Sequence, residues 1–206
     1  MFGIFELTVF IVSPLIGKHL SRFGAKRVFN IGILTTGTCC ILFGLLDQVN
    51  GRIAFVTLSF LIRIIEAVGN SGFLNASFSI IAKEFPDKVA TMFATLETFF
   101  GIGLIVGPTV GGALYQAGGY MLPFLILGLC LISAAILTFF TLPSKYDASE
   151  GTPQQSEKGL FDLLKIPPIF LAAYSILCTS LSIAFVQATL EPHLRQFELS
   201  PVSMGK

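Results

Sequence analysis

Apolar residues run along this chain in six blocks, each long enough to cross a bilayer and each followed by a polar break. The pattern predicts spans over 1–17, 28–46, 53–82, 89–113, 121–142 and 166–190, with turns at 18–27, 47–52, 83–88 and 115–120. The third block, at 1.5 Å per residue, is longer than a bilayer core and implies a tilted helix or one that emerges. Only 143–165 is polar for any length, rich in Ser, Glu, Gln and Lys, and it reads as a linker with a short amphipathic helix over 160–165. The segment 191–206 is a polar tail. Positive charge follows the first block instead of preceding it, so that block reads as a retained span and not as a secretory signal.

Composition agrees with this pattern. Of 206 residues, 53% are hydrophobic and only 12% charged, with 21 Phe and a mean hydropathy of +0.82. Soluble domains carry about twice that share of charge, so the chain is an integral membrane protein of all-α class, a polytopic transmembrane helix bundle. Lipid is its solvent, and no basic concentration outside the loops offers a nucleic-acid footprint. Cys39, Cys40, Cys130 and Cys178 lie in apolar stretches as small hydrophobes. His19 and His193 are both in loops and far apart, so neither a metal nor another cofactor is expected. Gly69-Asn70-Ser71-Gly72 has no intramembrane histidine to serve as a base, and a serine nucleophile there fails. The chain therefore reads as a non-enzyme. Asn75-Ala76-Ser77 fits the glycosylation sequon but falls inside a span, beyond the reach of that modification.

The basic residues give an orientation. Lys18, Arg22, Lys26, Arg27, Lys83, Lys88, Lys145, Lys158 and Lys165 sit in alternate breaks, while Arg52, Arg195 and Lys206 are the only ones in the others. The first set is expected on the cytoplasmic side. Both ends then lie on the far side, which suggests a helix preceding residue 1.

Two features of the apolar blocks call for a reason. Gly103, Gly107 and Gly111 recur every fourth residue, with Gly112 adjacent, and stack bare backbone patches on one helix face that another helix can approach closely. Pro108 removes a backbone donor in the same place and favours a bend. Such a stretch suits either a static contact or a seam along which helix bundles rock. The second feature is charge: an ionisable group at bilayer depth costs about 2.5–3.5 kcal/mol by insertion scales, yet Glu6, Arg63, Glu66 and Glu97 all lie within the blocks. Arg63 and Glu66, three apart, share a helix face. They form either a self-neutralising structural pair or a site at which Glu66 exchanges a proton for a cationic solute while Arg63 tunes it. A carboxylate shielded from water holds its proton tightly, and a nearby cation loosens it, so proton and amine compete. Glu97 precedes the glycine seam and faces either a neighbour or the headgroups. Glu6 and Glu191 are weaker candidates, near block ends. Phe99, Phe100, Phe139 and Phe140 face lipid or the core, with one or two available to box an ammonium.

These residues resemble a known pattern. The segment from Gly17 through Lys18, Arg22 and Gly24 to Lys26 and Arg27 resembles the loop signature of the major facilitator superfamily between its second and third helices. Leu61 to Gly69, with Arg63 and Glu66, resembles the fourth-helix motif, and Gly101 to Gly112, with Gly107-Pro108, resembles the fifth-helix antiporter motif. Leu190-Glu191-Pro192-His193-Leu194, after Gln187, is similar to the seventh-helix ending of vesicular amine transporters, and Arg63 to Leu142 looks closest to the vesicular polyamine branch. The resemblance implies an incomplete major facilitator fold covering helices two to seven of twelve. On that reading 1–142 holds five helices of the N-terminal half, 143–165 is a cytoplasmic linker, and 166–206 is the first helix of the C-terminal half and its tail. It further implies a proton-coupled antiporter for organic cations in a secretory or cytoplasmic vesicle membrane. Glu66, Arg63, Glu97, Glu6, Gln187 and Glu191 are then candidates for substrate and protons, and Gly17, Arg22, Gly24, Lys26 and Arg27 for a cytoplasmic gate. Ser21 departs from the pattern, standing where the superfamily loop usually carries an acid. Two alternatives stay open: a truncated, non-transporting form that acts as an interaction partner, and a plasma-membrane drug exporter. The oligomeric state is not specified.

Overall fold

The computed structural model describes residues 2–49, 51–142 and 165–195. It contains six helices long and apolar enough to cross a membrane: α1 (Phe2–Phe23), α2 (Ala25–Leu45), α3 (Arg52–Glu84), α4 (Val89–Gly118), α5 (Met121–Thr141) and α6 (Pro167–Arg195). The chain divides into two units, Met1–Ser149 and Glu150–Lys206. The first holds α1 to α5 and the second holds α6. The amphipathic helix expected over 160–165 falls almost wholly outside the described residues.

The apolar blocks are helices as expected, but their ends differ, and the largest correction is at 18–27. This stretch is not a loop. α1 continues through Lys18 and Arg22 to Phe23, Gly24 alone breaks the chain, and α2 starts at Ala25 with Lys26 and Arg27 in its first turn. Gly24 has φ of 83°, a left-handed value that a residue with a Cβ adopts only under strain. Basic residues can sit in terminal helical turns because their long stems let the charged head reach water. His19, expected in a loop, lies on α1, its Nδ1 2.9 Å from the Leu15 carbonyl, and His193 lies on α6. α4 likewise runs five residues past Ala113 to Gly118.

Hydroxyls inside the helices are satisfied locally. Thr36 and Thr38 of α2 donate to the carbonyls of Gly32 and Leu34, at 2.9 and 2.8 Å. Such bonds let a polar residue sit in an apolar layer. Among the described residues no buried side-chain nitrogen or oxygen lacks a partner.

α2 packs between α3 and α5, antiparallel to both. A Cβ on Gly32 would lie 2.6 Å from the Gly69 carbonyl oxygen, and one on Gly128 would lie 2.9 Å from that of Gly37. These approaches are closer than any side chain allows, so glycine is what brings the backbones together. Further along, Cys39, Phe43, Leu46 and Ile62 form a small buried core, flanked by Phe55, Tyr120 and Phe124. α1 lies on α3 through Ser13 and Ser71, whose hydroxyls are 2.9 Å apart. Phe78 of α3 meets Phe93 of α4, ring centres 5.1 Å apart, and Gly118 of α4 abuts Leu122 of α5. Both contacts lie near the ends of α4, while a Cβ on Gly103 or Gly107 in its middle would meet no described atom within 4 Å.

Candidate substrate and proton site

Within its span α3 carries an ion pair. Arg63 Nη1 donates to Glu66 Oε2 at 3.1 Å, with the two side chains 25% and 15% exposed. The i, i+3 spacing in an unbroken helix makes that contact geometrically easy. α2 supplies the rest of the surroundings. The Arg63 guanidinium carbon stands 4.4 Å from the centre of the Phe43 ring, a cation–π contact, so the cation is held by a carboxylate and by a ring. Phe43 in turn packs on Phe124 of α5 at 5.4 Å, and Phe124 on Tyr120 at 5.0 Å. Cys39 and Cys40 lie within electrostatic reach of Glu66, and the Cys40 thiol points to the Phe124 carbonyl at 3.5 Å. The pair therefore faces the interior of the α2–α3–α5 layer and not the headgroups. At the rim, between α4 and α5, burial pushes the Tyr120 phenol above its ordinary value. The Arg63 charge opposes that shift and Asp47 adds to it.

The other expected residues are not gathered here. Glu97 on α4 and Glu6 on α1 are exposed, and among the described residues neither bonds to Arg63 or Glu66. The side chains of Gln187 and Glu191 lie outside the described residues. Of the seam, Gly103, Gly107 and Gly111, like Gly101, have no atom within 4 Å of a would-be Cβ, Pro108 is exposed, and only Gly112 is buried. Within the first unit, then, Gly103, Gly107 and Gly111 meet no described neighbour, while Gly112 beside them is buried. Arg22, Gly24, Lys26 and Arg27 lie at the α1–α2 joint, and Gly17 lies two turns back on α1, beside Asn75 of α3.

Two groups were missed by the sequence reading. Phe43 beneath Arg63 carries no signal in the sequence, and the aromatics expected as candidate boxes, Phe99, Phe100, Phe139 and Phe140, are all more than half exposed. The second is the Ser13–Ser71–Asn75 cluster: Asn75 Nδ2 donates to the Ser71 carbonyl at 2.9 Å and to Ser13 Oγ at 3.3 Å. Its signal was two small polar residues one helical turn apart on α3.

The pattern of the Major Facilitator Superfamily matches residues 1–205. The chain belongs to that superfamily. Its curated relatives place it with the vesicular amine transporter branch. It is 37% identical to MFS-type transporter SLC18B1 of Rattus norvegicus over 100% of this chain and 44% of that protein. Against the Homo sapiens protein of the same name it is 39% identical over 92% of this chain and 40% of the relative. The chromaffin granule amine transporter of Homo sapiens is 28% identical over 93% of this chain and 35% of its own length. Multidrug resistance protein 1 of Bacillus subtilis (strain 168) is 29% identical over 89% and 46%. The chain thus spans less than half the length of these relatives. No solved structure matches it. A multi-pass membrane protein with a partial major facilitator bundle is what fold and family jointly give.

Proposed function

We propose that this chain serves a proton-coupled antiporter that carries organic cations, polyamines or related amines, into vesicles by alternating access. The observation behind this reading is the Arg63–Glu66 pair, an acid largely hidden from water and held at 3.1 Å by a guanidinium that rests on Phe43, in a membrane-length helix. Three cations can occupy such a carboxylate in turn: Arg63, a proton, and a substrate ammonium. Protonation releases Arg63 and removes the charge that holds an amine, while an arriving amine displaces the proton. Mutual exclusion at one acid is the physical core of antiport. The name of one relative, the chromaffin granule amine transporter, supports amines as the class of cargo and a vesicle as the address. In this reading Gly103, Gly107, Gly111 and Gly112 with Pro108 form the moving face of α4. Gly17, Arg22, Gly24, Lys26 and Arg27 form the cytoplasmic gate, and Glu97, Glu6, Gln187 and Glu191 are secondary contacts on the path.

The test is uptake of a panel of labelled amines by the protein in liposomes with an acidic interior. Accumulation that collapses with the gradient is expected, and Glu66→Gln should reduce it to the level of protein-free liposomes while leaving insertion intact. Unchanged proton-driven uptake in Glu66→Gln removes that acid from the mechanism. The open face of α4 favours a second reading, in which the chain transports nothing by itself and acts as a partner of other transporter chains. Absence of uptake by the wild-type chain, with uptake appearing when a longer relative is reconstituted alongside, selects it. A plasma-membrane exporter, supported by the likeness to the Bacillus subtilis protein, differs in address, and tagged protein at the cell surface would select that.

A further inference from the structure

A groove of about 780 Å³ runs between α2 and α5 on the outside of the first unit. Its upper end carries Lys26 and Arg27, and among the described residues that line it there is no acid. Below them the walls are apolar, formed by Ile31 and Leu34 of α2 and by Ile136 and Phe140 of α5. The side chains of Ile31, Leu34, Ile136 and Phe140 are 47–78% exposed, so the walls are available to an occupant. The groove is also rigidly built. Asn30 donates to the Lys26 carbonyl at 2.9 Å and accepts from Thr138 at 2.9 Å, which ties the first turns of α2 to the last turns of α5. Lys26 Nζ is 5.4 Å from the centre of the Phe139 ring, so its charge is held over the mouth of the groove.

Charge and depth together specify an occupant. From Lys26 to Leu34 the helix rises about 12 Å, most of the hydrocarbon depth of one leaflet. The cations lie at the end of the bundle where Lys18, Arg22, Lys83 and Lys88 also gather, the side assigned to the cytoplasm, where anionic lipids are enriched. We propose that the α2–α5 groove binds an anionic glycerophospholipid, its phosphate and acidic headgroup on Lys26 and Arg27 and one acyl chain along Ile31, Leu34 and Ile136. This site is separate from Arg63–Glu66 and does not depend on what the protein transports.

The experiment is native mass spectrometry of the detergent-purified protein titrated with dioleoyl-phosphatidylserine or dioleoyl-phosphatidylcholine. Preferential retention of phosphatidylserine is expected, falling by about fivefold for each cation removed in Lys26→Gln and Arg27→Gln. Ile136→Trp fills the groove without altering charge and should lower retention of phosphatidylserine as well, which keeps the test intact if a charge variant fails to fold. Lys88→Gln, at the same end but away from the groove, should leave retention unchanged. Equal retention of the two lipids, an equal loss in Lys88→Gln, or a preference untouched by Lys26→Gln, Arg27→Gln and Ile136→Trp overturns the proposal. Displacement of the lipid by soluble glycerophosphoserine or inorganic phosphate at matching concentration also overturns it, since the site would then take a small anion and not a lipid.

Discussion

The glycines of α2 and those of α4 look alike in sequence and behave in opposite ways. On α2, Gly32 and Gly37 are buried against the backbones of α3 and α5, and Gly44 against Phe124, so that any side chain meets another atom at 2.6–3.1 Å. On α4, Gly103, Gly107 and Gly111 repeat more regularly and meet nothing within 4 Å. A regular glycine stripe is thus a capacity for close approach and not proof of it. What decides is the neighbour, and α2 has one on each side. The first set welds a layer of three helices; the second leaves a smooth face on which a helix can slide.

This contrast is most directly broken by paired substitutions. Gly32→Ala places a methyl 2.6 Å from the Gly69 oxygen and 2.7 Å from the Phe73 nitrogen, backbone atoms that yield only if a helix shifts. A loss of about 3 kcal/mol is expected, read as a large drop in melting temperature in detergent. Gly107→Ala should leave the melt unchanged or raise stability by up to about 1 kcal/mol, because alanine is the better helix former. A loss in Gly107→Ala to match that of Gly32→Ala would mean that the α4 face is covered in the folded protein.

A smaller effect sharpens the same contrast with polar groups. Ser71 is fully buried and bridges α3 to Ser13 of α1, whereas among the described residues Thr95 and Thr98 of α4 bond to the carbonyls of Thr91 and Ala94 in their own helix. Ser71→Ala should destabilise by about 0.6–1.7 kcal/mol. Thr98→Ala should stay within about 0.5 kcal/mol. Thermal melts of the two variants side by side decide this, and equal losses would erase the distinction between a bonded layer and an open helix.

The smallest expected effect is one of pH, at the joint between α4 and α5. Burial raises the folded-state value of Tyr120 above its ordinary 10.0, so the neutral phenol is the form the fold favours. Its contribution is complete below about pH 10 and is lost as pH climbs through the raised value. Melting temperatures across an alkaline series should therefore fall less steeply in Tyr120→Phe. Identical slopes would show that the phenol stays in water.

Much of this was legible beforehand. Six spans could be read because an apolar run long enough to cross a bilayer has few alternatives, and the Arg63–Glu66 contact because two opposite charges three residues apart on a helix meet by geometry alone. Boundaries were less legible: Lys18, Arg22, Lys26 and Arg27 suggest a loop by polarity, yet Arg22, Lys26 and Arg27 belong to terminal turns and Lys18 lies in the helix just before, their long stems letting the charged heads reach water. Phe43 could not be found, since its place under Arg63 depends on how α2 and α3 align, and neither helix encodes that register in its own periodicity. The α4 stripe leaves its partner unstated for the same reason, for its regular spacing says nothing of what stands opposite.

Gly24 carries one last implication. With a single residue between them, α1 and α2 have no slack, so once folded both helix ends are fixed at the same depth, with Arg22, Lys26 and Arg27 held together at the bend. Turning the hairpin over would carry those charges through oil, which ties the direction of one helix to that of the other.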